Sequence, residues 1–64
     1  IKTKNIMGFL VILNGKVVRA NKRLSSAKKT VEKIRQCEKF NDENDLLEIY
    51  DKENGEFVWT NELT

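Results

Sequence analysis

The sequence predicts a single small α+β domain over residues 1-64, with element order ββαββ. The expected architecture is a four-stranded antiparallel sheet in the order 2-1-3-4, with one helix packed on one face. Two observations predict it: two pairs of short apolar segments are each joined by a turn containing Asn-Gly, and an amphipathic segment separates the pairs. A chain of 64 residues has room for one domain. It buries only about 60% of its unfolded surface, so its core is small.

The first hairpin is the strongest local signal. Residues 7–13 (Met-Gly-Phe-Leu-Val-Ile-Leu) form an apolar run rich in strand-forming residues, and Asn14-Gly15 follows at once. Both turn residues tolerate the positive φ that a type I′ turn requires. Residues 16–20 then form the returning strand. Because the first strand is apolar on both sides, we expect it to lie in the interior of the sheet.

One helix is predicted over residues 26–39. Ser25 is the expected N-cap, and Leu24 is the hydrophobic residue just before it. Apolar residues then recur at spacings of four, three and three, which puts them on one side of a helix. This stripe consists of Ala27, Val31, Ile34 and Cys37.

The second hairpin follows a polar loop at residues 41–45. Residues 46–50 and 57–60 are the predicted third and fourth strands, and Lys52-Glu53-Asn54-Gly55 contains the turn. A two-residue loop would pair Tyr50 with Trp59, and a four-residue loop would pair Tyr50 with Phe57. Strict alternation along the strands gives the same two faces in either case.

Strict alternation divides the strand residues into two faces. The face expected beneath the helix holds Phe9, Val11, Leu13, Val18, Ala20, Leu47, Ile49, Val58 and Thr60. The uncovered face includes Leu10, Ile12, Tyr50, Phe57 and Trp59, with Arg19 and Glu48 nearby. Large aromatic side chains dominate protein interfaces, and a bare apolar patch usually marks a contact site. We therefore expect these five apolar residues to bind a partner, although a half-solvated face is the ordinary alternative for such a sheet.

Residue content argues against catalysis and against a metal or other cofactor. The chain has no histidine, and its one cysteine, Cys37, is expected to pack on the helix stripe. The carboxylates lie on loops and turns, and the three glycines make no phosphate-binding pattern. No small-molecule substrate is indicated. A single cysteine is typical of a reducing, cytoplasmic setting, and the longest apolar run is too short to cross a membrane.

Charge is distributed unevenly along the chain. Residues 1–37 carry ten basic and one acidic side chain, a net of +9, whereas residues 38–64 carry two basic and nine acidic, a net of −7. Basic surfaces supply the phosphate contacts of nucleic-acid binding, which is the alternative function. Its candidate residues are Lys16, Arg19, Lys22, Arg23, Lys28, Lys29 and Lys33. Opposite poles also suit self-association, since the basic half of one chain can meet the acidic half of another.

The function expected from these features is a non-enzymatic protein–protein interaction, through homodimerisation or binding of another protein. In length, fold and composition the chain is similar to small phage-encoded accessory proteins that bind and block a host factor. That resemblance is one of kind and is carried by no motif.

Overall fold

The computed structural model describes residues 8–62, so that Met7, predicted to open the first strand, lies outside the described residues. It confirms the predicted order of elements and the sheet order 2-1-3-4. The elements are β1 (Phe9–Leu13), β2 (Lys16–Asn21), α1 (Leu24–Arg35), β3 (Leu47–Asp51) and β4 (Glu56–Thr60). All neighbouring strands are antiparallel, and β1 lies in the interior of the sheet as expected.

The first hairpin has the predicted turn. Asn14 and Gly15 both adopt positive φ, 52° and 84°, as a type I′ turn requires. Asn14 also holds the start of β3 in place, because its backbone N–H donates to the Leu46 carbonyl at 2.8 Å. Its side-chain oxygen accepts from the Leu46 amide, also at 2.8 Å. These bonds hold the chain entering β3 beside the end of β1.

The helix begins earlier and ends earlier than its predicted span of 26–39. Arg23 is the N-cap residue and makes no side-chain cap bond, so the expected cap at Ser25 is wrong. Only Lys22 and Arg23 connect β2 to the helix, and this short link leaves Ser25 inside the first turn. The chain leaves the helix after Arg35, and Cys37 is exposed beyond its end rather than packed on the stripe. A turn bond from the Phe40 amide to the Cys37 carbonyl accompanies the return of Phe40 to the core.

The core lies between α1 and one face of the sheet. Val11, Leu47 and Ile49 have no exposed surface, and the helix contributes buried Ala27 and Val31. Partly buried apolar residues surround this cluster: Phe9, Leu13, Leu24, Ile34, Phe40 and Trp59. The helix packs mainly on β1 and β2 and less extensively on β3. Burial of the Ala27/Val31 stripe is what the sequence periodicity predicted.

Each outer strand contains a β-bulge that the sequence analysis did not anticipate. In β2, Ile12 pairs with Val17 as predicted, but Val11 pairs with Arg19, which makes Val18 the extra residue. An extra residue shifts everything beyond it to the opposite face. Arg19 is therefore on the covered side, and Ala20, which pairs with Leu10, is on the open side. Both residues were predicted on the wrong face.

The second bulge has the same effect in β4. Tyr50 pairs with Phe57, as the four-residue loop predicts, but Ile49 pairs with Trp59, and Val58 is the extra residue. Trp59 therefore lies on the helix side, contrary to the prediction that it shares a face with Tyr50 and Phe57. Thr60, which pairs with Glu48, is on the open side. Val18 and Val58, both predicted beneath the helix, are 47% and 39% exposed.

Candidate binding surfaces

The face of the sheet opposite the helix, here called the open face, carries two rows of side chains. Pairing across the four strands gives the first row, in order from β2 to β4: Ala20, Leu10, Tyr50 and Phe57. The second row, in the same order, is Val17, Ile12, Glu48 and Thr60. Four of the five predicted partner-binding residues, Leu10, Ile12, Tyr50 and Phe57, are thus brought together. The sheet alone supplies this surface.

The open face is apolar and substantially exposed. Val17 and Phe57 stand at its two edges with 57% and 56% of their surface accessible. The Tyr50 and Phe57 rings meet edge to face, with centroids 5.0 Å apart and an interplanar angle of 63°. This edge-to-face geometry is one of the arrangements that aromatic pairs favour. Glu48, half-buried in β3, is the one charged residue in the two rows.

Trp59 belongs to a different surface. The guanidinium carbon of Arg35 lies 5.8 Å from the centroid of the indole ring, within the range of a cation–π contact. Trp59 also lines a shallow groove together with Lys28, Val31, Glu32 and Arg35, all of which belong to the helix. Because the helix packs mainly on β1 and β2, Trp59 covers the side of the core near β4.

A hydrogen-bonded network fixes Arg35 above that ring. Arg35 forms an ion pair with Asp42 at 3.0 Å, and the Asn61 side-chain amide donates to the other Asp42 oxygen at 3.1 Å. The hydrogen bond from Asn61 and that from Arg35 hold the pKa of Asp42 below its ordinary value of 3.8. Asn61 also donates to the Asp45 carbonyl and accepts from the Leu47 amide. The network therefore joins the helix end, the polar loop and β4.

Both edges of the sheet are poorly suited to adding a further strand. Each edge strand is interrupted by its bulge, Val18 in β2 and Val58 in β4, and bulges with edge charges are devices that prevent strand addition. Lys16 and Arg19 supply those charges on β2, and Glu56 supplies one on β4. A partner is therefore expected on a face rather than along an edge.

The predicted nucleic-acid residues are all exposed, and they follow β2, the short connection and α1. Because α1 packs mainly on β1 and β2, this basic surface adjoins the β2 edge. It is separate from the Tyr50–Phe57 pair, since these two residues lie on β3 and β4 beside Glu48 and Glu56. Stacking side chains and basic side chains are thus at opposite ends of the sheet.

An apolar cavity of about 330 Å³ opens beside the end of the helix. Its lining residues are Leu13, Val18, Ile34, Cys37, Lys39, Phe40 and Asp45. Cys37 is the thiol among these residues, and both carboxylate oxygens of Asp45 accept hydrogen bonds, one from the Asn14 side chain and one from the Asn41 backbone amide. Within residues 8–62, no three Cys, Asp or Glu side chains gather as metal ligands would. In the same part of the chain, no helix is long and apolar enough to cross a membrane.

Comparison with known proteins adds no constraint to this geometry. No protein-family model, no curated protein and no solved structure matches the chain.

The surface residues that strict alternation missed are Ala20 and Thr60, which the two bulges turn to the open face. No glycine or other special residue marks either bulge in the sequence, so no signal distinguishes them in advance.

Proposed function

We propose that this protein is a non-enzymatic protein-binding domain and that its open face is the binding surface. The observation that carries the proposal is the uninterrupted apolar row across all four strands, with Phe57 more than half exposed at one end. Burying such a side chain against a partner stabilises the complex by about 25 cal/mol for each Å² of apolar surface removed from water. The preordered Tyr50–Phe57 pair supports the same role.

Capture experiments with matched baits test the proposal. The wild-type domain, a Phe57→Ser variant and a Val58→Ser variant are immobilised, and each is offered extract from the source cells and a differently tagged copy of the domain. The two substitutions remove exposed apolar side chains from adjacent positions, but only Phe57 belongs to the open-face rows. We expect wild type and Val58→Ser to retain the same protein and Phe57→Ser to lose it. Equal retention by all three baits contradicts the proposal.

A captured protein is accepted as a binding partner only if it binds the domain again after purification. The repeat measurement uses isothermal titration, and the expected loss of affinity on Phe57→Ser is tenfold or more, a typical effect of truncating an aromatic residue that a partner buries. A protein that binds wild type and Phe57→Ser with equal affinity uses another surface.

Nucleic-acid binding is the second candidate, favoured by the exposed basic residues of β2 and α1. Residues 8–37 contain eight basic side chains and one acidic side chain, Glu32. The expected result for this function is binding of mixed DNA and RNA oligomers at 50 mM salt that falls steeply, by at least tenfold, at 200 mM salt. Absence of binding at low salt removes this candidate and leaves the protein-binding proposal.

A further inference from the structure

We propose that one side of the molecule, formed by β2 and the helix surface beside it, binds the phosphate backbone of a nucleic-acid duplex. The proposal rests on the second candidate function above and adds the residues that make the contact and the form of nucleic acid that they fit. It concerns a surface separate from the open face. This surface, here called the basic flank, consists of Lys16, Arg19, Lys22, Arg23, Lys29 and Lys33.

The register of β2 turns two of these side chains toward the helix side of the sheet. Lys16 pairs with Leu13 and Arg19 pairs with Val11, and both partners belong to the apolar cluster beneath the helix. Paired residues point to the same face of a sheet. Lys16 and Arg19 therefore point to the helix side, and both are exposed because β2 is an edge strand. The bulge at Val18 is what gives Arg19 this direction.

The helix adds two lysines on the same side. Thr30 marks the side of α1 that faces β2, because its hydroxyl donates to the Asn21 side-chain oxygen at 3.4 Å. Lys33 comes three residues after Thr30 and so lies on this side, one turn later. Lys29 precedes Lys33 by four residues and is its neighbour on the helix surface. Both lysines are exposed, and the link between β2 and α1 supplies the remaining two basic residues.

The charge of the basic flank is not neutralised by carboxylates of residues 8–62. The ion pair in this part of the chain joins Arg35 to Asp42, and neither belongs to the flank. The one acidic residue of α1, Glu32, lines the groove on the other side of the helix, together with Lys28 and Trp59. The strand β2 carries no acidic residue. Positive charge is therefore concentrated on the β2 side, and Lys28 lies apart from it.

The composition of the flank favours phosphates over an acidic protein as the ligand. Four of its six residues are lysines, a residue type that is depleted in protein–protein interfaces. Phosphate contacts need little beyond positive charge, because each contact releases counterions from the nucleic acid. A row of exposed lysines and arginines is thus sufficient for a nucleic-acid backbone, whereas a protein partner gains most of its affinity from buried aromatic or apolar anchors.

The position of the exposed aromatic residue favours a duplex over a single strand. Proteins that bind single strands stack the bases on aromatic side chains. Among residues 8–62 the exposed aromatic side chain is Phe57, on β4 at the opposite edge of the sheet from β2. The bases of a duplex already stack on each other and need no such platform. The 12-residue helix extends about 18 Å, a length that follows about five base pairs.

Fluorescence anisotropy with labelled oligomers tests the preference for a duplex. The probes are a DNA duplex and an RNA duplex of about 16 base pairs and the corresponding single strands, and polyglutamate serves as the competitor. In about 100 mM sodium chloride we expect a duplex to bind at least fivefold more tightly than its single strands. Contacts to four to six phosphates predict a slope of roughly −4 to −5 in a plot of log affinity against log salt.

The two duplexes distinguish DNA from RNA as the source of the phosphates, and preferential binding of either one supports the proposal. Tighter binding of the single strands overturns it. Displacement of the duplex by polyglutamate at an equal concentration of charge also overturns it, because the flank would then accept an acidic protein equally well.

Substitutions on the two sides of the helix test the position of the site. Arg19→Gln and Lys33→Gln each remove one charge from the basic flank, on different elements. Lys28→Gln is the matched control, because it removes one exposed charge from the same helix on the Trp59 side. We expect each flank variant to weaken duplex binding several-fold at about 100 mM salt and to reduce the salt slope by about 1. Lys28→Gln should change the affinity less than twofold.

Equal losses in the three variants would mean that binding follows net charge alone, and this result overturns the assignment to the flank. Circular dichroism confirms that each variant is folded. Binding of single strands that depends on Phe57 leaves nucleic-acid binding as a function but overturns the duplex proposal. Absence of binding to every oligomer at about 20 mM salt removes both, and the proposed role of the open face is unaffected by either outcome.

Discussion

The two faces of the sheet belong to the same four strands but differ sharply in burial. On the covered face Val11, Leu47 and Ile49 have no accessible surface, whereas on the open face Val17 and Phe57 expose more than half of theirs. The covered face has the helix and Trp59 above it, and the open face has nothing within residues 8–62. The difference shows that apolar content alone does not assign a face its role. The burial of a residue depends on whether the helix contacts its face of the sheet and on whether a bulge shifts the alternation before it.

The largest expected effect comes from truncating the covered face. Leu47→Ala removes a fully buried side chain and should lower the free energy of unfolding by about 2–5 kcal/mol. A domain of this size has roughly 3–5 kcal/mol in total, so we expect the variant to be largely unfolded at 25 °C. Circular dichroism with urea titration measures it. Phe57→Ala is the control and should change the unfolding free energy by less than about 1 kcal/mol. Equal losses would contradict the assignment of faces.

An intermediate effect separates the two aromatic residues of β4. Trp59→Ala should lower the free energy of unfolding by about 1–3 kcal/mol, because it exposes the core near β4 and removes the Arg35 contact. We expect the folded fraction to bind the captured protein as wild type does. Phe57→Ser should have the opposite profile, with stability retained and binding of that protein lost. Urea titration and isothermal titration on both variants make the comparison, and loss of binding in Trp59→Ala would show that Trp59 belongs to the binding surface.

Deleting Val58 should have a smaller effect and tests the bulge directly. Without the extra residue, Tyr50 still pairs with Phe57 and Ile49 still pairs with Trp59, so the indole stays on the helix side. The fluorescence of Trp59, the single tryptophan, should keep its emission maximum. The straightened edge should be more prone to strand addition, and slow aggregation is expected. A red-shifted emission maximum in the deletion variant would show that the bulge does not set the face of Trp59.

The smallest expected effect is electrostatic and concerns the network above Trp59. Because the pKa of Asp42 is lowered on folding, its charge stabilises the folded state at pH values above the ordinary pKa of 3.8. This contribution is lost as the pH falls through the lowered value. The urea midpoint of Asp42→Asn should therefore lie slightly below that of wild type at pH 6, and the gap should close near pH 2. A gap independent of pH would contradict the charge-based account.

The sequence predicts the architecture because each local signal agrees with the global fold. Asn14-Gly15 defines the first turn, the Ala27/Val31 spacing orients the helix, and the two-sided apolar character of β1 fixes its interior position. These features depend on neighbouring residues alone. Strand order followed from them without a pairing signal between distant segments.

The residues of the open face were predicted only in part, because the sequence near a bulge does not reveal it in these strands. Leu10, Ile12 and Tyr50 lie on strands without an extra residue, and Phe57 precedes its bulge, so alternation placed all four correctly. Trp59, Arg19 and Ala20 follow a bulge and were placed on the wrong face. The bulge in β2 pairs Ala20 with Leu10, and the bulge in β4 pairs Trp59 with Ile49. These pairs can be assigned only when the pairing of the strands in three dimensions is known.

The most direct measurement of the central claim is a titration of the isotope-labelled domain with the purified captured protein, followed by amide NMR spectra. If the open face is the binding surface, the shifts should cluster at Leu10, Ile12, Val17, Tyr50 and Phe57. The Trp59 indole and the amides of α1 should remain unchanged. Shifts centred on Trp59 or the helix would contradict the account.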